Sequence, residues 1–221
     1  VIMTIQMGIP VARIELLDAL QVKACNAYSG LDFPETPLLL LEFHGSEQAV
    51  AMQSEQFAEI AAECGGSEFV WTANAEERNR LWKARHNAYW AGRALKPEYE
   101  GFSTDVCVPI SRLADCVRET QADIAAEGIL APVVGHAGDG NFHLLVLFDK
   151  DKPGEIEKIE AFTVRLAERA IAMGGTSTGE HGVGQGKKRV VGKELGSAVA
   201  MMRAIKQALD PDNIFNPGKI F

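Results

Sequence analysis

The stretch APVVGHAGDGNFHLLVLF, Ala131 to Phe148, decides how the fold is read. APVVGHA and NFHLLVLF are short apolar runs on either side of Gly138-Asp139-Gly140. Short aliphatic runs bounded by glycine turns are strand signals. The two are expected to pair as a hairpin with His136 and His143 at its loop end. Side chains alternate across a strand, so His143 shares a face with Leu145 and Leu147. The glycine turn carries His136 back towards it.

A second glycine-fenced segment, TGEHGVG from Thr178 to Gly184, holds Glu180 and His181 side by side. Two imidazoles, a carboxylate and an adjacent histidine are what a mononuclear metal site with a general base requires. Histidine and carboxylate ligands suit Zn, Mn or a similar divalent ion with a coordination position left open. Spacing alone leaves a plainer alternative: His136 and His143 capping a turn, and Glu180-His181 lying in a solvated loop. Loops beside strands are nevertheless where a scaffold tends to place chemistry.

Outward from the hairpin, the chain reads as alternating strands and helices. In a lead-in over residues 1–36, the spacing of Val11, Ile14, Leu17, Ala19 and Leu20 suggests a short helix. LLLLEF, Leu38 to Phe43, reads as a strand from the centre of a sheet. Ser46 caps a helix that ends at Gly65-Gly66, and EFVWTAN (68–74) is a further short strand. Residues 75–93 are helical, FSTDVCVP (102–109) is a strand, and a helix runs from Ile110 to Gly128. A long helix after Pro153 ends at Gly174-Gly175, two shorter ones follow, and the tail from Pro211 is extended. The expected class is α+β: a mostly antiparallel sheet covered by helices, with strand-helix-strand units related to ferredoxin-like packing. Residues 37–221 form its main domain.

The chain has 221 residues, 47% hydrophobic and 24% charged, with a net charge of -8. That balance excludes nucleic acid as a partner, since a phosphate backbone rewards basic patches. Only Lys187, Lys188 and Arg189 cluster. No apolar run is long enough to span a bilayer, and VIMTIQMGIPVARIELL lacks the basic flank of a signal peptide. Cys25, Cys64, Cys107 and Cys116 show no paired spacing and read as small hydrophobes, mostly buried. A soluble, cytoplasmic chain is expected. Neither GxGxxG nor a P-loop is present, so the chain shows no nucleotide cradle of its own.

HAGDGNFH (136–143), GTSTGEHGVGQGKK (175–188) and LDPDNIFNPGK (209–219), in this order and spacing, resemble the C-terminal domain of FAD-linked oxidases. That group contains the D-lactate, glycolate and D-2-hydroxyglutarate dehydrogenases. LWKARHNAYWAG (81–92) and FSTDVCVPISRL (102–113) most resemble the D-lactate branch. The resemblance runs from about Leu38 to the end. It implies an FAD-dependent 2-hydroxy-acid dehydrogenase whose flavin is bound mainly by a separate N-terminal domain absent from this chain. An electron acceptor, protein or quinone, is implied as a further partner.

Matched to the family's motifs, His136, His143 and Glu180 are metal ligands, and His181 takes the substrate's hydroxyl proton. Arg85 clamps the substrate carboxylate, while Asn216 in the tail lies near the cofactor. Asn141 is expected to secure the turn. Members that accept a second carboxylate tend to carry lysine where this chain has Ser103 and asparagine where it has Leu145. A small monocarboxylate such as D-lactate is therefore expected. Two other functions stay open: a non-catalytic metal- or ligand-binding module, and a metal-dependent hydrolase.

Overall fold

The structure, a computed structural model, describes residues 1–67 and 69–221. Six strands build one sheet: β1 (Val11–Leu17), β2 (Leu38–Phe43), β3 (Glu100–Ser103), β4 (Val106–Cys107), β5 (Val133–His136) and β6 (Asn141–Phe148). The order is β2-β1-β5-β6-β3, with β4 also on β6, and every pair is antiparallel. β5 and β6 form the expected hairpin, with His136 opposite Asn141 and Val134 opposite His143. Because β4 and β5 both run antiparallel to β6, they are parallel to each other with β6 between them. That is the split strand-helix-strand unit of ferredoxin-like packing.

The helices are α1 (Ile2–Gln6), α2 (Ala19–Ser29), α3 (Glu47–Glu63), α4 (Ala75–His86), α5 (Ala88–Ala94), α6 (Ile110–Glu127), α7 (Glu155–Ala172), α8 (Lys188–Leu195) and α9 (Ala198–Leu209). One face of the sheet packs on α6 and α7, where Ile14, Val133, Phe142, Leu144 and Val146 meet Leu113, Cys116, Phe162 and Leu166. Leu17 and Val134 face the other way, into a smaller cluster with α2 and α5 through Val22, Cys25, Ala88 and Ala91. Burial of each large apolar side chain contributes about 1.5–3 kcal/mol, so the larger cluster anchors the sheet. The site lies on the smaller cluster's face, so it is built on strands held from behind.

Several sequence expectations change. Val11 to Leu17 is β1, a strand flanked by β2 and β5, and the helix starts only at Ala19. Its apolar residues fall three apart because Ile14 faces one cluster and Leu17 the other. β1, in the lead-in, pairs directly with β2. β2 lies at the sheet edge, not its centre, and is half-buried throughout. Its leucines run without polar interruption because Leu39 and Leu41 pack on one face while Leu38 and Leu40 pack on the other. The strand expected over 68–74 begins at Glu68, outside the described residues, and 69–74 form no strand. Thr72 and Asn74 there bind Glu77 and the N–H groups of Glu76 and Glu77, starting α4. The helix expected over 75–93 breaks at Asn87, between α4 and α5.

Two further helix ends show their caps directly. Ser46 accepts from Ala49 N–H at 3.3 Å, and Gly128 ends α6 in the left-handed conformation that a side chain resists. Cys25 and Cys116 are buried, but Cys107 is half-exposed and Cys64 exposed, so only two of the four follow expectation.

α6 and α7 are tied by Asp123, which accepts from Arg165 at 2.8 and 3.2 Å and from Arg169 at 2.9 Å. The Arg165 hydrogen bonds hold its carboxyl below the usual range, with burial opposing and Arg169 reinforcing. A carboxylate with a depressed folded pKa contributes stability that is present above its unfolded value, about 3.9, and lost as pH falls through the folded value. Asp123→Asn is therefore expected to lower the thermal midpoint at pH 7, with the gap to the parent narrowing below about pH 4. Thermal melts across pH check this; a gap that stays constant into acid would assign the effect to packing.

Candidate metal centre

The hairpin's period-two alternation puts Val134 and His136 of β5 on the same face as His143 and Leu145 of β6. Glu15 of β1, directly opposite His136, joins them. The His136 and His143 rings stand edge to face with centroids 5.7 Å apart. Backbone packing demands glycine in the turn: a Cβ on Gly140 would lie 2.0 Å from the Val108 carbonyl oxygen, and Gly140 has φ +78°.

The third arm comes from the loop between α7 and α8. Glu180 Oε1 lies 2.9 Å from His143 Nε2 and 3.7 Å from His136 Nε2. Donor atoms of His136, His143 and Glu180 all lie within 4.8 Å of one another. Bonds of about 2.0–2.2 Å to one ion imply donor separations of roughly 3.3 Å, so closing on an ion needs movements on the order of 1 Å. The half-exposed Glu180 side chain can supply that shift.

Both imidazoles already have their other nitrogen engaged. His143 Nδ1 donates to the Thr104 carbonyl at 3.0 Å, and His136 Nδ1 meets Glu15 Oε1 at 2.9 Å. Each hydrogen bond turns the Nε2 atom towards Glu180, the outer-shell arrangement that orients histidine ligands. Burial pushes the His143 imidazole below its ordinary pKa, while the hydrogen bond to Glu15 raises that of His136.

His181 stacks on His143, with centroids 4.9 Å apart and planes 13° from parallel. Its Nε2 lies 3.7 Å from Glu180 Oε1 and its side chain is partly open to solvent. Asp105 positions the whole loop. Its Oδ2 accepts from the N–H groups of Glu180 at 2.9 Å and His181 at 2.8 Å, and from the Thr178 hydroxyl at 3.2 Å. Lys187 Nζ donates to the Asp105 carbonyl at 2.9 Å. Burial works against the Asp105 carboxylate, but the two N–H groups and the Lys187 charge outweigh it and hold its pKa low.

Residues 1–220 match the family model for FAD linked oxidases, C-terminal domain. The chain belongs to this family. Curated relatives match the FAD-linked oxidase C-terminal domain over nearly its whole length. A probable mitochondrial D-lactate dehydrogenase of Danio rerio is 48% identical over 98% of this chain and 44% of its own length. The mitochondrial D-lactate dehydrogenase [cytochrome] of Arabidopsis thaliana is 41% identical over 99% and 39%. The glycolate oxidase subunit GlcD of Escherichia coli (strain K12) is 32% identical over 96% and 43%. The chain spans less than half the length of these relatives. A 4-ethylphenol oxidase from Gulosibacter chungangensis, in complex with isoeugenol, has the same fold with a TM-score of 0.65. At 16% identity, it covers 94% of this chain and 47% of that one.

In this FAD-linked oxidase domain, His136, His143, Glu180 and His181 come together as the sequence predicts. Arg85 lies beside them but is already engaged, giving its Nε and one NH2 group to Glu15 Oε2 at 3.0 and 2.7 Å. Asn216 stands apart, exposed in a C-terminal hook with φ 46°. Ile220 N–H ties that hook to the Gly184 carbonyl at 2.8 Å. Asn141 is buried in the turn, and its side chain sits where a Cβ on Gly179 would come within 2.8 Å.

Sequence reading missed Glu15, Thr104 and Asp105. The available signal was a lone carboxylate in a largely apolar stretch, in VARIELL and in FSTDVCVP. Buried carboxylates need partners, so each marks a place where some other segment must arrive.

Proposed function

We propose that this chain is the substrate- and metal-binding half of an FAD-dependent 2-hydroxy-acid dehydrogenase acting on a small monocarboxylate of the D-lactate type. One observation carries the reading. His143 gives its only neutral-state proton to Thr104, so its Nε2 and Glu180 Oε1, both lone-pair donors, face each other at 2.9 Å. Such a contact needs a cation between the two atoms. Burial disfavours the extra proton on His143, which favours a divalent ion, Zn or Mn, held by His136, His143 and Glu180.

When bound, that ion would polarise the substrate's hydroxyl and carboxylate oxygens, and the flavin of a separate domain would take the hydride from C2. The chain's own residues supply the remaining steps. His181, neighbouring the ion site, accepts the hydroxyl proton at its imidazole. The guanidinium end of Arg85 left free by Glu15 binds the substrate carboxylate. Asn216 would lie on the cofactor side, and a protein or quinone acceptor would be needed to reoxidise the cofactor.

Leu145 sets the size limit. It is buried beneath α5, close enough that a Cβ on Gly92 would come 2.7 Å from its Cδ2, and Ser103 pairs opposite it. Burying an unpaired second carboxylate there would cost several kcal/mol. No helix among the described residues is long and apolar enough to cross a membrane. The mitochondrial names of two relatives favour a mitochondrial compartment over the cytoplasmic one expected from the sequence.

Anaerobic mixing of a flavin-loaded enzyme containing this chain with D-lactate should bleach the flavin, whereas D-2-hydroxyglutarate should not. Chelation should abolish bleaching, and Zn2+ or Mn2+ should restore it. Equal bleaching by the dicarboxylate would remove the Leu145 argument, and indifference to chelation would remove the ion.

A further inference from the structure

We infer that Glu15 is a positioning residue that fixes the metal ligand His136 and the carboxylate clamp Arg85 with a single carboxylate. The inference rests on the metal-centre reading above. Glu15 is only 6% exposed and sits on β1, flanked by paired strands on both sides. Its two oxygens are divided: Oε1 meets His136 Nδ1 at 2.9 Å, and Oε2 accepts from Arg85 Nε and NH2 at 3.0 and 2.7 Å. A buried ion pair by itself says little about stability. Here each partner is a group for which function demands a fixed orientation.

An ionised carboxylate can only accept. In neutral His136 the proton must therefore sit on Nδ1, which leaves the Nε2 lone pair towards Glu180. On the other side, Glu15 occupies the Nε edge of the guanidinium. A substrate carboxylate must then approach Arg85 at its NH1 end, which restricts how a 2-hydroxy acid can lie between the clamp and the ion. One side chain thus couples the geometry of the two functions across two strands and a helix.

Glu15→Gln tests this with almost no change of shape. The amide has one acceptor oxygen and one donor nitrogen, and Arg85 has only donors. The amide oxygen turns to Arg85, and its NH2 group faces His136. Nδ1 must then accept, and the imidazole proton moves to Nε2, where it blocks the ion. Titrating the metal-free chain with Zn2+ against a chromophoric chelator should show affinity lowered by about 10–100-fold. Imidazole 15N shifts, recorded alkaline enough to keep His136 neutral, should report Nδ1–H in the parent and Nε2–H in the variant. A merely structural role would not move the tautomer.

Parent-like Zn2+ affinity in a folded Glu15→Gln chain would overturn the assignment. So would a parent His136 with its proton on Nε2. If the variant fails to fold, the parent tautomer decides alone: Nδ1–H upholds the role of Glu15 and Nε2–H removes it. A parent that binds no Zn2+ would count against the metal centre itself, and the same tautomer reading would still settle Glu15.

Discussion

His136→Ala/His143→Ala should take the divalent metal content of the chain from near-stoichiometric to background while leaving the chain folded. The two rings are two of the three converging groups that could hold an ion, and Glu180 alone, half-exposed on a loop, cannot retain one against water. The fold should survive because its larger cluster lies on the opposite face of the same strands. Phe142, Leu144 and Val146 pack there on α6 and α7 and are untouched by the substitutions. Removing the His143 ring leaves the Thr104 carbonyl without its donor. An unsatisfied buried acceptor costs about 1–3 kcal/mol, less than a typical domain's stability. Elemental analysis after dialysis against Zn2+ or Mn2+, alongside circular dichroism, measures both halves of the prediction. Metal content equal to the parent's in a folded double variant would dismiss the ligand set, whereas loss of fold and metal together would assign these histidines to the core.

Why these converging residues were readable from sequence, and their supports were not, follows from how each acts. His136 and His143 lie within one hairpin, where a glycine turn and two-residue alternation fix their relation locally. Glu180 is brought to them across the chain by Asp105, which works through backbone N–H groups that every residue carries. No side-chain pattern in TGEHGVG announces such a contact. The Glu15 bond to Arg85 spans 70 residues, and that to His136 spans 121. β1 escaped recognition for a related reason: with helices on both faces of the sheet, Ile14 and Leu17 are both buried although they point in opposite directions. Apolar alternation disappears when neither face meets water. β2 shows the same effect, since its unbroken leucines report two covered faces and carry no information about whether the strand is central or at the edge.

His181→Ala should lower turnover of a flavin-loaded enzyme containing this chain by at least about a hundredfold, the lower edge of what a positioned general base contributes. Substitution is a clean test here because of what holds the loop. His181 is anchored by its backbone N–H to Asp105 at 2.8 Å, a bond alanine keeps, and Glu180 has its own bond at 2.9 Å. The ion's ligands should stay in place, so metal content should match the parent's. The imidazole itself is partly exposed, lies flat against His143 and reaches within 3.7 Å of Glu180 Oε1, beside the position where a chelated hydroxyl would sit. Loss of a proton acceptor from that position falls on the chemical step, so kcat should drop while KM changes little. Stopped-flow flavin reduction separates the two. Unchanged flavin reduction would mean that another group takes the proton, and a rise in KM alone would make His181 a binding residue. A large fall in kcat accompanied by lost metal would return the effect to Glu180, whose place in the ligand set would then depend on the ring stacked behind it.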